Sequence, residues 1–218
     1  DTDYEAETVF QKLNSKHIAR IVDGVISSNS KAMTAKNLVE TFCVGDECLA
    51  RSFSKELYKT ISNSPTGKSK MLFAEWQSLF RLAHDDDSKQ RAIIERREAL
   101  AEYLDIKIQK GDNSSEYKAL YSIQTAYTII IKIIAFKTLL ELRSGMSPMT
   151  FEDYSSLDSD STRAHLDNLE SGSIFRREGF SNLLEGDFFS WYCSAEQWNG
   201  EIFDSVTQIF VELSEYEN

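Results

Sequence analysis

The apolar positions of this chain recur mostly at intervals of three and four residues. In "YEAETVFQKLNSKHIARIVDGVI" they fall at Val9, Phe10, Leu13, Ile18, Ile21, Val22, Val25 and Ile26, close to the spacing of an amphipathic helix. "SSNSK" breaks that pattern, and Thr34 stands where an N-cap belongs, ahead of "AKNLVETFC". Gly45 and Asp46 mark a turn, and "ECLARSFSKELYKTI" then sets Leu49, Phe53, Leu57 and Ile61 on one helical face. "SNSPTGKSK" reads as a loop. In "KMLFAEWQSLFRLAH", Leu72, Phe73, Trp76, Leu79 and Phe80 form a broad apolar stripe. The acids of "DDDS" suit the N-terminus of a helix over "KQRAIIERREALAEYL", where the macrodipole favours negative charge. Residues Asp105 to Ile108 alternate in polarity, which fits a brief strand or a loop.

Residues 115–142, "SEYKALYSIQTAYTIIIKIIAFKTLLEL", are the most hydrophobic stretch and are apolar on nearly every side. Lys132 sits in mid-run, and a charge at a bilayer centre costs about 2.5–3.5 kcal/mol. A helix wrapped by other helices is therefore expected here, with no membrane span. Lys132 then either snorkels to the surface or meets a partner, because an unpaired buried ammonium is costly. Residues 150–172 are acidic and Ser-rich and read as a connector with one short helix at 160–169. Beyond them lie "GFSNLLEGDFFSWY" (179–192) and a closing helix with Ile202, Phe203, Val206, Ile209, Phe210 and Leu213 inward. The expected architecture is all-α: a multi-helix bundle around a long buried central helix (115–142). Residues 1–150 would make the bundle, 151–172 the connector, and 173–218 C-terminal helices packing back on it, in one domain overall. Only two prolines and nine glycines agree with a helical fold.

Charge divides the chain. Residues 1–140 hold 20 Lys and Arg against 19 Asp and Glu, whereas residues 141–218 hold 4 against 16, which gives the net charge of −11. An acidic surface repels phosphates, so the last third is a poor nucleic-acid platform and suits a basic partner better. The odd number of cysteines (Cys43, Cys48 and Cys193) and the absence of a CxxC point to a reduced, cytoplasmic setting. His17, His84 and His165 match no zinc-ligand spacing. The chain begins at Asp1 and stops at Asn218 straight after a helical pattern, so a piece of a longer polypeptide is expected.

Candidate chemistry is sparse. Gly67-Lys68-Ser69 looks like the end of a phosphate-binding loop, but Ser62 stands where its first glycine belongs. Asp105-Ile106-Lys107 and Glu116-Tyr117-Lys118 are the nearest approach to a nuclease's metal-binding acids, and the second pair falls on an expected helix. Glu185 and Asp187 could bind a divalent ion or do acid–base work. The simpler reading has Asp187 capping a helix over "FFSWYCS", Gly186 allowing the turn, and the aromatics buried. Arg176 and Arg177 would pair with these acids or contact phosphate.

Three stretches look familiar. "QTAYTIIIKIIAFKTL" (124–139) resembles a helix in the N-terminal helical region of bacterial N6-adenine DNA methyltransferases of restriction-modification type, with Tyr127, Lys132, Phe136 and Lys137 at the matching positions. "GFSNLLEGDFFSWY" is similar to a later motif of that family through Gly179, Phe180, Asn182, Glu185, Asp187, Phe188, Phe189 and Trp191. "FAEWQSLF" (73–80) fits its upstream segment around Trp76. The resemblance spans roughly residues 70–216. It implies a downstream domain that binds S-adenosylmethionine and methylates adenine in DNA, a base that must first leave the stack. This chain has no Gly-x-Gly and no Pro-Pro, so it carries none of that domain's catalytic or cofactor-binding residues. The resemblance therefore implies a non-catalytic region whose partners are its own methyltransferase domain and, through it, DNA. Basic residues between 68 and 110 are the better candidates for touching DNA. A free-standing helical adaptor that binds a basic protein is the other reading.

Overall fold

Short polar side chains fix where the helices of this protein begin. The computed structural model describes residues 31–43, 45, 48–84, 90–109, 111–142, 149–180 and 188–217. Helix α1 (Ala35–Phe42) starts at Thr34, whose hydroxyl accepts the Asn37 amide at 3.2 Å, as its N-cap position led us to expect. Helix α2 (Leu49–Asn63) follows the turn at Gly45. Helix α3 (Gly67–His84) opens with a reciprocal cap: Thr66 N–H donates to Ser69 Oγ at 2.8 Å, and Ser69 N–H to Thr66 Oγ1 at 3.3 Å. The expected loop over 62–70 therefore shrinks to three residues, and Gly67-Lys68-Ser69 becomes a first helical turn preceded by a helix, not a strand. Helix α4 is Gln90–Leu104, and helix α5 is Asn113–Leu142, capped by Asp112 on the Ser115 amide at 3.0 Å.

Asp105 ends α4 in the left-handed conformation (φ 54°), and Ile106 N–H reaches back to Ala101 C=O at 2.9 Å. That closure is a helix C-cap, so the alternation at 105–108 belongs to a loop. A 3₁₀ turn (Glu152–Ser156) leads into α6 (Ser159–Glu170), capped by Asp158, and α7 (Ser173–Arg177). A second 3₁₀ turn, Ser190–Cys193, stands where an α-helix over "FFSWYCS" was expected. Asn199 caps α8 (Gly200–Ser214). The only strands among the described residues, β1 (Lys31–Ala32) and β2 (Tyr216–Glu217), pair in parallel and tie the ends of the described chain together.

The fold is all-α, with α5 as its axis. Helix α2 packs along it through Ala50, Phe53, Leu57 and Ile61, and α8 closes the same core with Ile202, Val206, Ile209, Phe210 and Leu213. Helix α5 is long and apolar enough to cross a membrane by length and composition alone, and more than half of its most apolar window is packed inside the protein. The segment expected to be a connector is instead part of the core. Phe151, Leu166 and Leu169 are buried there, and Tyr154 stacks edge-on against Phe136 of α5 at 4.9 Å. Leu79 also departs from expectation: the stripe of α3 buries Leu72 and Trp76, while Leu79 is 54% exposed. The helix expected over residues 4–26 and the acids of 85–87 lie outside the described residues.

Candidate functional site on the central helix

Two stretches of the resemblance, far apart in sequence, meet on one side of α5. Trp191 is fully buried and stacks on Tyr121 (ring centroids 6.0 Å apart), and its indole N–H donates to Thr125 Oγ1 at 3.1 Å. Tyr121 donates its hydroxyl to Phe188 C=O, and its ring is 5.7 Å from Phe189. On its other side Tyr121 meets Trp76 at 5.1 Å, and Trp76 donates its indole N–H to Gln124 Oε1 at 2.9 Å. The polar edges of both indoles are thus satisfied within an aromatic pile, the condition for burying tryptophan without loss.

Two turns beyond Thr125 on α5, Lys132 resolves the choice between snorkelling and pairing. Its ammonium donates to Glu170 Oε2 of α6 at 2.6 Å, with only 3% and 2% of the two side chains exposed. Tyr192 donates its hydroxyl to the other carboxylate oxygen at 2.9 Å. Burial pushes the Glu170 carboxyl up, and Lys132 opposes that shift. Burial also raises Tyr192 well above the usual phenol range, and Glu170 adds to the effect. Cys193, next in sequence, leans on Ser190 C=O at 3.0 Å, and burial pushes its thiol up to about 12. A protonated, buried thiol is a poor nucleophile.

The other candidate residues have structural surroundings. Lys137 is buried, pairs with Glu141 one turn on, and lies over the Phe151 ring at 4.9 Å. Tyr127 is partly buried, and burial raises its pKa, with the nearby Cys43 and Tyr103 adding to the shift. Gly179 has φ 85° and is the left-handed residue of a C-cap in which Phe180 N–H reaches Phe175 C=O at 3.0 Å. That backbone conformation, and no shortage of space, is what requires glycine there. Asn182, Glu185 and Asp187 lie outside the described residues, so their pairing with Arg176 and Arg177 does too.

The acids of the nuclease reading have structural surroundings of their own. Asp105 caps α4, and Glu116 lies on α5 with Arg96 Nε on one oxygen at 2.7 Å and Arg97 Nε on the other at 2.5 Å. A carboxylate engaged by two guanidinium cations is already neutralised and is a poor ligand for a metal ion. Among the described residues no three His, Cys, Asp or Glu side chains cluster as metal ligands.

Sequence reading missed His165. It lies on α6 in an aromatic box of Phe136 (4.6 Å), Tyr154 (4.5 Å) and Phe210 (6.1 Å), and its Nε2 is buried without a hydrogen-bond partner. Burial holds its pKa down at about 4, so the ring is neutral at neutral pH. Its spacing from Leu166 and Leu169 was the available signal, masked by the polar residues around it. A shallow apolar cleft lined by Ala74, Glu75, Ser78, Leu79 and Phe188 flanks the aromatic pile on the α3 side. No protein-family model, curated protein or solved structure matches the chain.

Proposed function

We propose that this chain is a non-catalytic helical support, and that it serves as the N-terminal region of a restriction-modification enzyme that methylates adenine N6 in DNA. One observation carries the reading. The residues of the resemblance are spent on packing: Trp76, Lys132, Lys137, Phe188, Phe189 and Trp191 join α3, the 149–170 segment and the 188–193 turn to a single central helix. Side chains so thoroughly paired with each other hold an angle between elements and leave the reacting groups to a domain elsewhere in the parent polypeptide. On this reading S-adenosylmethionine binds that domain. DNA contacts of the present region fall to basic residues such as Lys68 and Lys70, which are exposed on α3. The free cysteines agree with a cytoplasmic setting.

A basic protein partner is the second reading. It is favoured by the outward acids of the last third, among them Asp158, Asp160 and Asp167 on and around α6 and Glu201 and Asp204 on α8. The test begins with the reading frame past Asn218. The first reading expects an Asn-Pro-Pro-aromatic motif there, adenine-N6 methylation by the longer polypeptide, and no S-adenosylmethionine binding by the present chain in calorimetry. A stop soon after Asn218, or S-adenosylmethionine bound by this chain alone, would overturn it.

A further inference from the structure

Helix α3 carries apolar side chains on two sides, and the core uses one of them. Leu72 and Trp76 are buried, while Met71, Ala74, Ser78, Leu79 and Leu82 recur at i, i+3, i+7, i+8 and i+11 on the outward side and are all exposed. Met71 and Leu79 are each 54% exposed and Leu82 is 85% exposed. A single exposed leucine needs no explanation, but three large apolar side chains in register over three turns do.

This outward face has a floor and walls. Ala74 and Ser78, one turn apart, are small and lie between the longer side chains of Met71, Leu79 and Leu82. Half-buried Phe188 borders the same cleft from the 188–193 turn. Small residues in the middle of a helix face let a second helix approach to about 8–10 Å, the distance at which ridges enter grooves. The charge around the face also departs from the rest of the molecule. Helix α3 exposes Lys68, Lys70 and Arg81 and holds one acid, Glu75, on a chain whose net charge is −11. Phosphates would meet these cations and leave the apolar centre in water. A second copy of the face would set the same cations against each other. An amphipathic helix with carboxylates beside its apolar stripe satisfies the centre and the rim together.

We infer that the outward face of α3, from Met71 to Leu82, receives an amphipathic helix of a separate protein, apolar at i, i+3, i+4 and i+7 and flanked by Asp or Glu. The incoming stripe lies over Ala74 and Ser78 between Met71, Leu79 and Leu82, and its acids meet Lys68 and Lys70 at the rim.

Fluorescence anisotropy on the full chain tests this with two labelled synthetic peptides of about 18 residues, long enough to hold a helix. Both carry leucine along one stripe; glutamates flank it in one peptide and lysines in the other. The glutamate peptide binds at least about tenfold more tightly at low salt. Ser78→Trp fills the floor and abolishes that binding, Lys68→Glu with Lys70→Glu removes the preference for glutamate, and Lys36→Ala on α1 changes neither. Because the substituted residues are exposed, every variant melts within about 2 °C of the wild type. Equal affinity for the two peptides, binding that survives Ser78→Trp, or no binding of either would overturn the inference. So would a large drop in the melting temperature of Leu79→Gln, which would give the face to this chain's own packing. Binding to phosphatidylserine vesicles that Ser78→Trp strengthens would overturn it too, and would give the face to a lipid surface, where an added indole inserts and does not obstruct.

Discussion

Glu170 and Glu116 are both carboxylates with 2% of the side chain exposed, yet they sit in different kinds of site. Glu170 faces one lysine, itself 3% exposed, and one buried phenol. Glu116 faces two arginines whose side chains remain 31% and 17% exposed, and Arg97 also reaches Asn113. The first pair is sealed and has no substitute for either partner. The second is a rim cluster in which one guanidinium backs up the other and water reaches both. The difference teaches where electrostatics constrains this fold. The sealed pair dictates which turn of α6 meets which turn of α5, since any slip leaves a bare charge in the core. The rim cluster joins α4 to α5 and tolerates adjustment.

Breaking the sealed pair should have the largest effect. Lys132→Met strands a buried carboxylate and should cost about 3–5 kcal/mol in urea unfolding. Lys132→Met combined with Glu170→Leu should recover most of that loss, because an apolar pair of similar volume avoids the desolvation altogether. A double variant no better than the single one would show that the pair's own attraction matters more than the stranded charge.

The pH dependence should come next. The folded His165 pKa of about 4 lies below the ordinary 6.5, so the unfolded chain binds the extra proton between those values. Stability from this group is then full above pH 6.5 and falls as pH drops towards 4, by about 3 kcal/mol over the window. His165→Leu should flatten that part of the wild-type profile. An unchanged slope would mean the ring meets solvent in the folded state. The rim cluster should respond less: Arg96→Gln leaves Arg97 on Glu116 and should cost about 1 kcal/mol. Smallest of all, Lys36→Ala removes an exposed pair with Glu40 and should change the unfolding free energy by under about 0.5 kcal/mol.

Much of this fold is legible in the sequence, for reasons that also explain what is not. Helix α5 announces itself because it is apolar on almost every side, and α2 because Phe53, Leu57 and Ile61 recur on one face. Helix α6 is hard to read as core because its inward residues are outnumbered by Asp, Ser and Asn, and one of them is Glu170, which counts as buried only once Lys132 is seen beside it. That pairing spans 38 residues and has no local signature. Leu79 shows the converse: a stripe states which side chains are apolar, not how much of it the neighbouring helices cover. At the candidate site, the aromatic run of 188–192 is visible as a docking element, but its partners Tyr121 and Thr125 emerge only from the packing.

Equilibrium unfolding of Trp191→Ala tests most directly whether the motif residues exist to pack. A fully buried indole that stacks on Tyr121 and donates to Thr125 predicts a loss of about 3–5 kcal/mol. A melting curve close to that of the wild type would contradict the account, placing the ring at a surface and in the service of a partner.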